Sequence, residues 1–348
     1  MLNSKQIKID SFDPNAPGGE NSNLFGLPFD ETESDIIIVP VPWEVTTSYG
    51  GGTSEGPAHL MQASKQVDLY HPDFAELWKK GIFMREPDAT LEQLNATAKA
   101  WAADIISSWE KGNMAADEVS DANLIRVNEA CKNMNTWVSD AVGSLRRQGK
   151  FVGLLGGDHS TPLGFYQAYQ EEGIDFGILH IDAHMDLREA YEGFEFSHAS
   201  IMFNALKLSR LQRIVQVGIR DFCMAEQRVV EESEGKVAVY RSESIHARLF
   251  EGSTWDAICR DIIDQLPPLV HISFDIDGLE YFNCPNTGTP VPGGLTYEQV
   301  LHLFRVFKDS GKKLLGFDLV EVAPGQDDWN GNVGARLLYR LCSLSMGV

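Results

Sequence analysis

From Asp35 onward, short runs rich in β-branched and aliphatic residues recur along the chain: DIIIVPV, KFVGLL, FGILHI, RIVQVG, KVAVY, LVHISF and KKLLGFDLV. They read as buried strands. Between most of them lie longer stretches with helical spacing of apolar positions, at 161–172, 199–210, 253–265 and 296–309. Strand alternating with helix predicts an α/β fold, a parallel sheet with helices on both faces.

Two stretches depart from this rhythm. Residues 1–34 are polar and rich in Asn, Pro, Gly and acid, and read as an arm draped over the domain that starts at 35. The region from about 70 to 148 separates the first strand from the second and reads as a mostly helical insertion, with Trp78, Trp101, Trp109 and Trp137 among its apolar positions. An aromatic stripe at that spacing is ordinarily core; an oligomer interface or a lid is the alternative. A single domain over 35–348 that includes this insertion accounts for the pattern.

Composition narrows the function. The 348 residues are 43% hydrophobic and 23% charged, the balance of a compact globular protein. With 29 Lys and Arg against 50 Asp and Glu, the net charge of −21 repels phosphate backbones and anionic lipid faces, so neither nucleic acid nor membrane is an expected partner. Cys131, Cys223, Cys259, Cys284 and Cys342 are an odd set with no C-x-x-C pair, which suggests neither a disulfide framework nor a thiolate zinc site. Together with a start, MLNSKQIKID, that has no signal-peptide core, this reads as cytoplasmic.

The chemistry gathers at three strand ends, where ligands bind in open parallel sheets. In HIDAHMD, at 180–186, Asp182, His184 and Asp186 alternate, so an extended backbone points all three to one side. Asp275 and Asp277 repeat that spacing in SFDIDG, and GGDHS at 156–160 presents His159 on a glycine turn. Any one of these motifs also reads as a solvated loop or helix cap. Two imidazoles and four carboxylates packed together need a cation, because neighbouring carboxylates in a dry site otherwise raise one another's pKa and take up protons. The set is too large for one small ion and suits two, with oxygen-rich octahedral ions such as Mn²⁺ favoured over calcium or thiolate-type zinc. Two such ions about 3.5–4 Å apart turn water into a nucleophile, so the expected reaction is hydrolysis.

GGDHS, the D-A-H-x-D core of HIDAHMD, SFDIDGLE followed by GTPVPGGLT, and GFDLVEVAP at 316–324 resemble, in order, the signature segments of the ureohydrolases, the arginase and agmatinase group. The resemblance runs from about 35 to the C-terminus and implies a three-layer αβα sandwich, two Mn²⁺ per subunit, urea release from a guanidino group, and a homo-oligomer, trimer or hexamer. It implies that His159, Asp182, Asp186 and Asp275 hold one ion and His184, Asp182, Asp275 and Asp277 the other. It further implies that Asp186 carries a proton to the leaving amine, that Glu321 pairs with the guanidinium, and that His198, in EFSHAS, shuttles protons or touches substrate. SYGGGTSEGP at 48–57 resembles the family's early loop near the substrate mouth and has no phosphate-loop spacing.

For the substrate, the chain departs from arginases. Leu187 and Arg188 follow Asp186 where those favour a small polar run, and Phe222 and Cys223 follow Asp221 where an acid is expected. The run DLREAYEG with SHAS looks more like agmatinases, whose small cationic guanidino substrate suits an acidic protein. Arg188 either pairs with Glu189 or Glu192 or holds a substrate carboxylate, which keeps guanidinobutyrate, guanidinopropionate and formiminoglutamate open beside arginine and guanidine. A reading from another class is a non-catalytic, metal-stabilised scaffold that works through the helical insertion.

Overall fold

A computed structural model of the chain describes residues 4–19, 22–111 and 118–347. Eight strands form one sheet: β1 (Ile36–Val41), β2 (Ile82–Met84), β3 (Phe151–Gly156), β4 (Phe176–Ile181), β5 (Leu211–Ile219), β6 (Val237–Arg241), β7 (Leu269–Asp275) and β8 (Lys313–Val320). Every pairing is parallel, in the order β2-β1-β3-β8-β7-β4-β5-β6. The helices are α1 (Ser4–Ser11), α2 (Gly56–Ser64), α3 (Ala89–Glu110), α4 (Glu118–Arg147), α5 (Leu163–Glu171), α6 (Ile201–Leu206), α7 (Met224–Glu232), α8 (Ser242–Phe250), α9 (Trp255–Asp264), α10 (Tyr297–Asp309) and α11 (Trp329–Ser343). None among the described residues is long and apolar enough to cross a membrane.

Strand alternation divides the core in two. Ile36 and Ile38 of β1 join a cluster with Leu60 of α2, Ile258 of α9, Val300 of α10 and Leu337 of α11. Ile37, Val39 and Val41 join the opposite one, with Ala98 of α3, Met134 of α4 and Phe165 of α5. Helix ends are sequence-coded: Thr254 caps α9, and Thr296 with Gln299 forms a capping box on α10, whose Val300, Leu303, Phe304 and Phe307 bury one stripe.

Both irregular stretches are tied into this body. The 70–148 region holds α4, which lies over β1 and β3, and α3, which packs on α4, but also β2, paired with β1 from Ile36↔Ile82 to Ile38↔Met84. A three-residue strand is too short to announce itself as a pattern. Its tryptophans form no single stripe: Trp78 is buried, Trp101 and Trp137 pack against the core, and Trp109 is exposed. The N-terminal arm is more than draped, because Leu24, Phe25, Leu27 and Phe29 are core residues.

On the α3–α5 face the sheet turns polar towards the strand ends. Gln216, His180, Ser273, His271 and Asp318 are all completely buried there, beneath Tyr166 and Tyr169 of α5. That polar seam leads to the site.

Candidate functional site

The neighbours β3, β8, β7 and β4 deliver His159, Glu321, Asp275 and Asp182 from their carboxyl ends. His159 Nδ1 lies 3.0 Å from Asp182 Oδ2, 3.1 Å from Asp186 Oδ2 and 3.4 Å from Asp275 Oδ2. His184 Nδ1 lies 3.1 Å from Asp277 Oδ2 and 3.4 Å from Asp182 Oδ1. The structure thus brings all six sequence-derived ligand positions together, with Asp182 shared between the halves. Asp275 faces the His159 half through Oδ2, while its Oδ1 accepts the Asp277 N–H at 2.9 Å.

The route to this convergence differs from strand alternation. β4 stops at Ile181, and Asp186 has a left-handed backbone with φ +54°. The chain curls after the strand, Asp182 Oδ1 accepting the His184 N–H at 2.6 Å while His184 bridges to Asp221. Asp277 likewise sits in a single helical turn capped by Asp275, not on a strand.

Hydrogen bonds settle where the imidazole protons sit. Ser273 Oγ donates to Asp318 Oδ1 at 3.0 Å, so it accepts from His159 Nε2–H, also at 3.0 Å. His159 Nδ1, buried and aimed at three carboxylates, is therefore the ring nitrogen left to meet a cation, whether its own proton or a metal ion. That arrangement is repulsive without a cation and is how a metal-ligating histidine is prepared. His180 is different. The Gln216 amide donates to Met185 O at 2.7 Å and to His180 Nδ1 at 3.0 Å, so His180 Nε2–H donates to Asp182 Oδ2 at 2.7 Å and orients that ligand instead of binding metal.

Taken as protein groups alone, the cluster needs protons where cations belong. Burial, then Asp277 and Asp182, raises Asp275 well above the carboxylate range, and burial with Asp182 pushes Asp186 up to about 6. Burial lowers His184, but Asp277 and Asp182 overcome it and lift the imidazole to about 12. Donor atoms of His159, His180, Asp182 and Asp186 lie within 4.8 Å of one another, as do those of Asp182, His184 and Asp277; two such groups sharing Asp182 fit a pair of small divalent ions.

A cavity of about 160 Å³ opens over the cluster, with Glu321, Ser48 and Thr289 also lining it. Glu321 has φ +63°; its Oε1 accepts the His159 N–H at 2.9 Å and its buried Oε2 has no partner. Burial, then Asp158, holds its carboxyl well above the usual range. His198 lines the same cavity edge-on to Tyr191, with ring centres 6.0 Å apart and Nδ1 unpartnered. Lost hydration, with the positive fields of His184 and His159, lowers it to about 4, which keeps it neutral.

Arg188 pairs with neither Glu189 nor Glu192. Its Nε lies 3.9 Å from Glu226 Oε2 and its guanidinium sits over the Tyr191 ring at 5.1 Å. Glu226 was not found by sequence reasoning, which sought an acid at the position of Cys223. Cys223 is the N-cap of α7 and Glu226 its N3 residue, accepting the N–H groups of Cys223 (2.8 Å) and Leu187 (3.1 Å). The signal was present as C-x-x-E opening a helix, but only the fold turns that carboxylate onto the cavity wall.

The model of the Arginase family matches residues 34–343. N(1)-aminopropylagmatine ureohydrolase of Thermus thermophilus is 31% identical over 314 residues, 90% of each chain. Guanidinobutyrase of Pseudomonas aeruginosa is 29% identical over 320 residues, 90% of this chain and 87% of that one. Among solved structures, the agmatine ureohydrolase of Thermoplasma volcanium has a TM-score of 0.69 at 21% identity, covering 98% of both chains. Since the matched span takes in the sheet, the His/Asp cluster and Glu321 alike, the chain belongs to the Arginase family, hydrolases that cleave a guanidino C–N bond.

Proposed function

We propose that this ureohydrolase holds two Mn²⁺ ions and acts on a guanidine with a cationic tail, above all agmatine, which it splits into putrescine and urea. His159, Asp182, Asp186 and Asp275 hold one ion, and His184, Asp182, Asp275 and Asp277 the other. Bound there, the ions supply a water-derived nucleophile at neutral pH and stabilise the charge that develops at the guanidino carbon. Glu321 Oε2, the unpaired oxygen, accepts the guanidinium N–H groups and aims that carbon at the cluster. Asp186 moves the nucleophile's proton to the leaving nitrogen, and neutral His198, its Nδ1 free, exchanges protons with the departing amine. The five unpaired thiols fit a cytoplasmic setting.

The observation that carries the cationic tail is the cavity wall outside the His/Asp cluster, which Asp221 and Glu226 line together with a single guanidinium, that of Arg188. A substrate ammonium there is attracted, and the charge of Arg188 is offset by Glu226 and the Tyr191 face. N(1)-Aminopropylagmatine has the same chemistry with a longer tail. A guanidino acid is the second reading, because the Arg188 side chain makes no hydrogen bond among the described residues.

Urea release by the Mn²⁺-loaded protein from agmatine, N(1)-aminopropylagmatine, guanidinobutyrate and arginine tests both. Highest kcat/KM for the cationic pair, retained in Arg188→Gln, supports the proposal. Preference for guanidinobutyrate that Arg188→Gln removes assigns the tail to an acid. Silence across the panel with Mn²⁺, Ni²⁺, Co²⁺ and Zn²⁺ overturns both and leaves the scaffold reading.

A further inference from the structure

Glu44 follows β1 outside the metal cluster, carries a full carboxylate, and is completely buried. Its Oε2 accepts the N–H groups of Gly52 at 2.7 Å and Ser54 at 3.0 Å, and the Thr53 hydroxyl at 3.3 Å. Its Oε1 is in close contact with Lys99 Nζ, and its own N–H donates to Asn95 Oδ1 at 2.8 Å. Asn95 and Lys99 are four residues apart on α3, so one helix face grips both the backbone and the side chain of Glu44. Burial raises this carboxyl, but Lys99 and the N–H groups of Ser54 and Gly52 outweigh it and hold it below the ordinary range, so it is ionised.

The loop that Glu44 caps reaches the reacting end of the cavity. Ser48, at its start, lines the cavity. Gly50, at φ +63°, lies so close to Gly288 that a Cβ would collide with the Gly288 carbonyl. On Gly288, in turn, a Cβ would stand 2.9 Å from Glu321 Oε2. Two backbones are thus stacked against the oxygen that has no partner, and Thr289, next along, lines the cavity beside it.

We propose that Glu44, held by Lys99 and Asn95 of α3, is a positioning residue for catalysis: it sets the 48–55 loop, which sets the Gly288 loop against Glu321. The helical region at 70–148 thereby acts on the reaction without touching substrate. A buried charge with four polar partners holds one geometry firmly, and removing a partner leaves it uncompensated. The kinetic arm of the test rests on the ureohydrolase reading; the exchange arm does not.

The experiment compares the full-length, Mn²⁺-loaded wild type with Lys99→Ala, Lys99→Arg and Glu44→Gln. Lys99 is a half-exposed helix residue whose Arg variant keeps the charge opposite Glu44; in Glu44→Gln the neutral amide cannot satisfy Lys99 and the loop together. Lys99→Ala and Glu44→Gln are expected to raise KM for agmatine about tenfold, the scale of a slightly misplaced binding group, with kcat less affected and Mn²⁺ content unchanged. Lys99→Arg restores KM. Amide exchange accelerates in peptides covering 48–55 and 285–291 in the two disruptive variants only. Unchanged exchange in both loops, or a fall in Tm with KM within about twofold of wild type, overturns the proposal. If the wild type cleaves no guanidine, the functional reading fails and exchange alone decides the role of Glu44.

Discussion

Asp186 and Glu321 are the two non-glycine residues of the cavity with left-handed backbones, at φ +54° and +63°. Each such residue costs on the order of 1–3 kcal/mol and persists only where its surroundings hold it. Here the holders are visible: Met202 and Phe203 N–H donate to Asp186 O, and Glu321 N–H donates to Gly157 O. Glu321→Gln keeps an acceptor for the His159 N–H but cannot ionise to meet a guanidinium. kcat/KM for agmatine is expected to drop on the order of 10²-fold with the fold intact, the worth of a charge-assisted pair; an unchanged value removes Glu321 from substrate binding. His198 gives a pH signature. Its affinity for a proton is depressed to about 4 when folded, against 6.5 ordinarily, so between those values the unfolded chain binds a proton that the folded chain does not. Stability is therefore lost as pH falls from 6.5 towards 4, by on the order of 1–2 kcal/mol at pH 5. His198→Asn should lose correspondingly less than wild type between about pH 7 and pH 5 in denaturant melts, and equal losses contradict the assignment.

At the scale of elements, the seam between α5 and the strands β7 and β8 explains how the His159 ring is held. Asp318 accepts from Ser273 Oγ (3.0 Å), His271 Nε2 (2.8 Å) and Tyr166 OH (3.2 Å), while Tyr169 OH donates to His271 Nδ1 at 2.9 Å. Burial lowers His271 and keeps it neutral, so every donor in the seam has one acceptor. Through Ser273 this network sets the ring of His159. Asp318→Ala leaves three buried donors without their acceptor, and should cost roughly 3 kcal/mol or more in unfolding free energy. Titration of the metal-free variant should also show Mn²⁺ affinity about 10–100-fold weaker, the scale of a lost supporting partner. Stability lost with metal affinity intact would confine the seam to packing.

For the whole molecule, the sheet order matters most. β3, β8, β7 and β4 are spatial neighbours although β8 is last in the chain, so residues from 159 to 321 meet in one cluster at the carboxyl edge. The cluster concentrates buried carboxylates in a chain already at −21, so folding and metal binding are coupled. Stripping the metal with a chelator at about pH 7 should lower Tm by on the order of 10 °C, the equivalent of about 4 kcal/mol of ligand stabilisation, and Mn²⁺ should restore it. A Tm indifferent to chelation contradicts a resident binuclear centre.

The sequence by itself determines the α/β class, the strand cores and the ligand types. Hydrophobic period reports burial directly, and a D-x-D or D-A-H-x-D run is chemistry written in consecutive residues. The edge strand β2 is lost to sequence reading because three residues make no pattern, and the core role of Leu24 and Phe25 because they sit in a polar arm. Only the tertiary structure decides that Asp186 joins the His/Asp cluster by a left-handed turn, that Glu226 stands beside Asp221 on the cavity wall where Cys223 does not, and that Glu44 reaches across to α3. Those outcomes depend on contacts between residues distant in the chain, which local spacing does not encode.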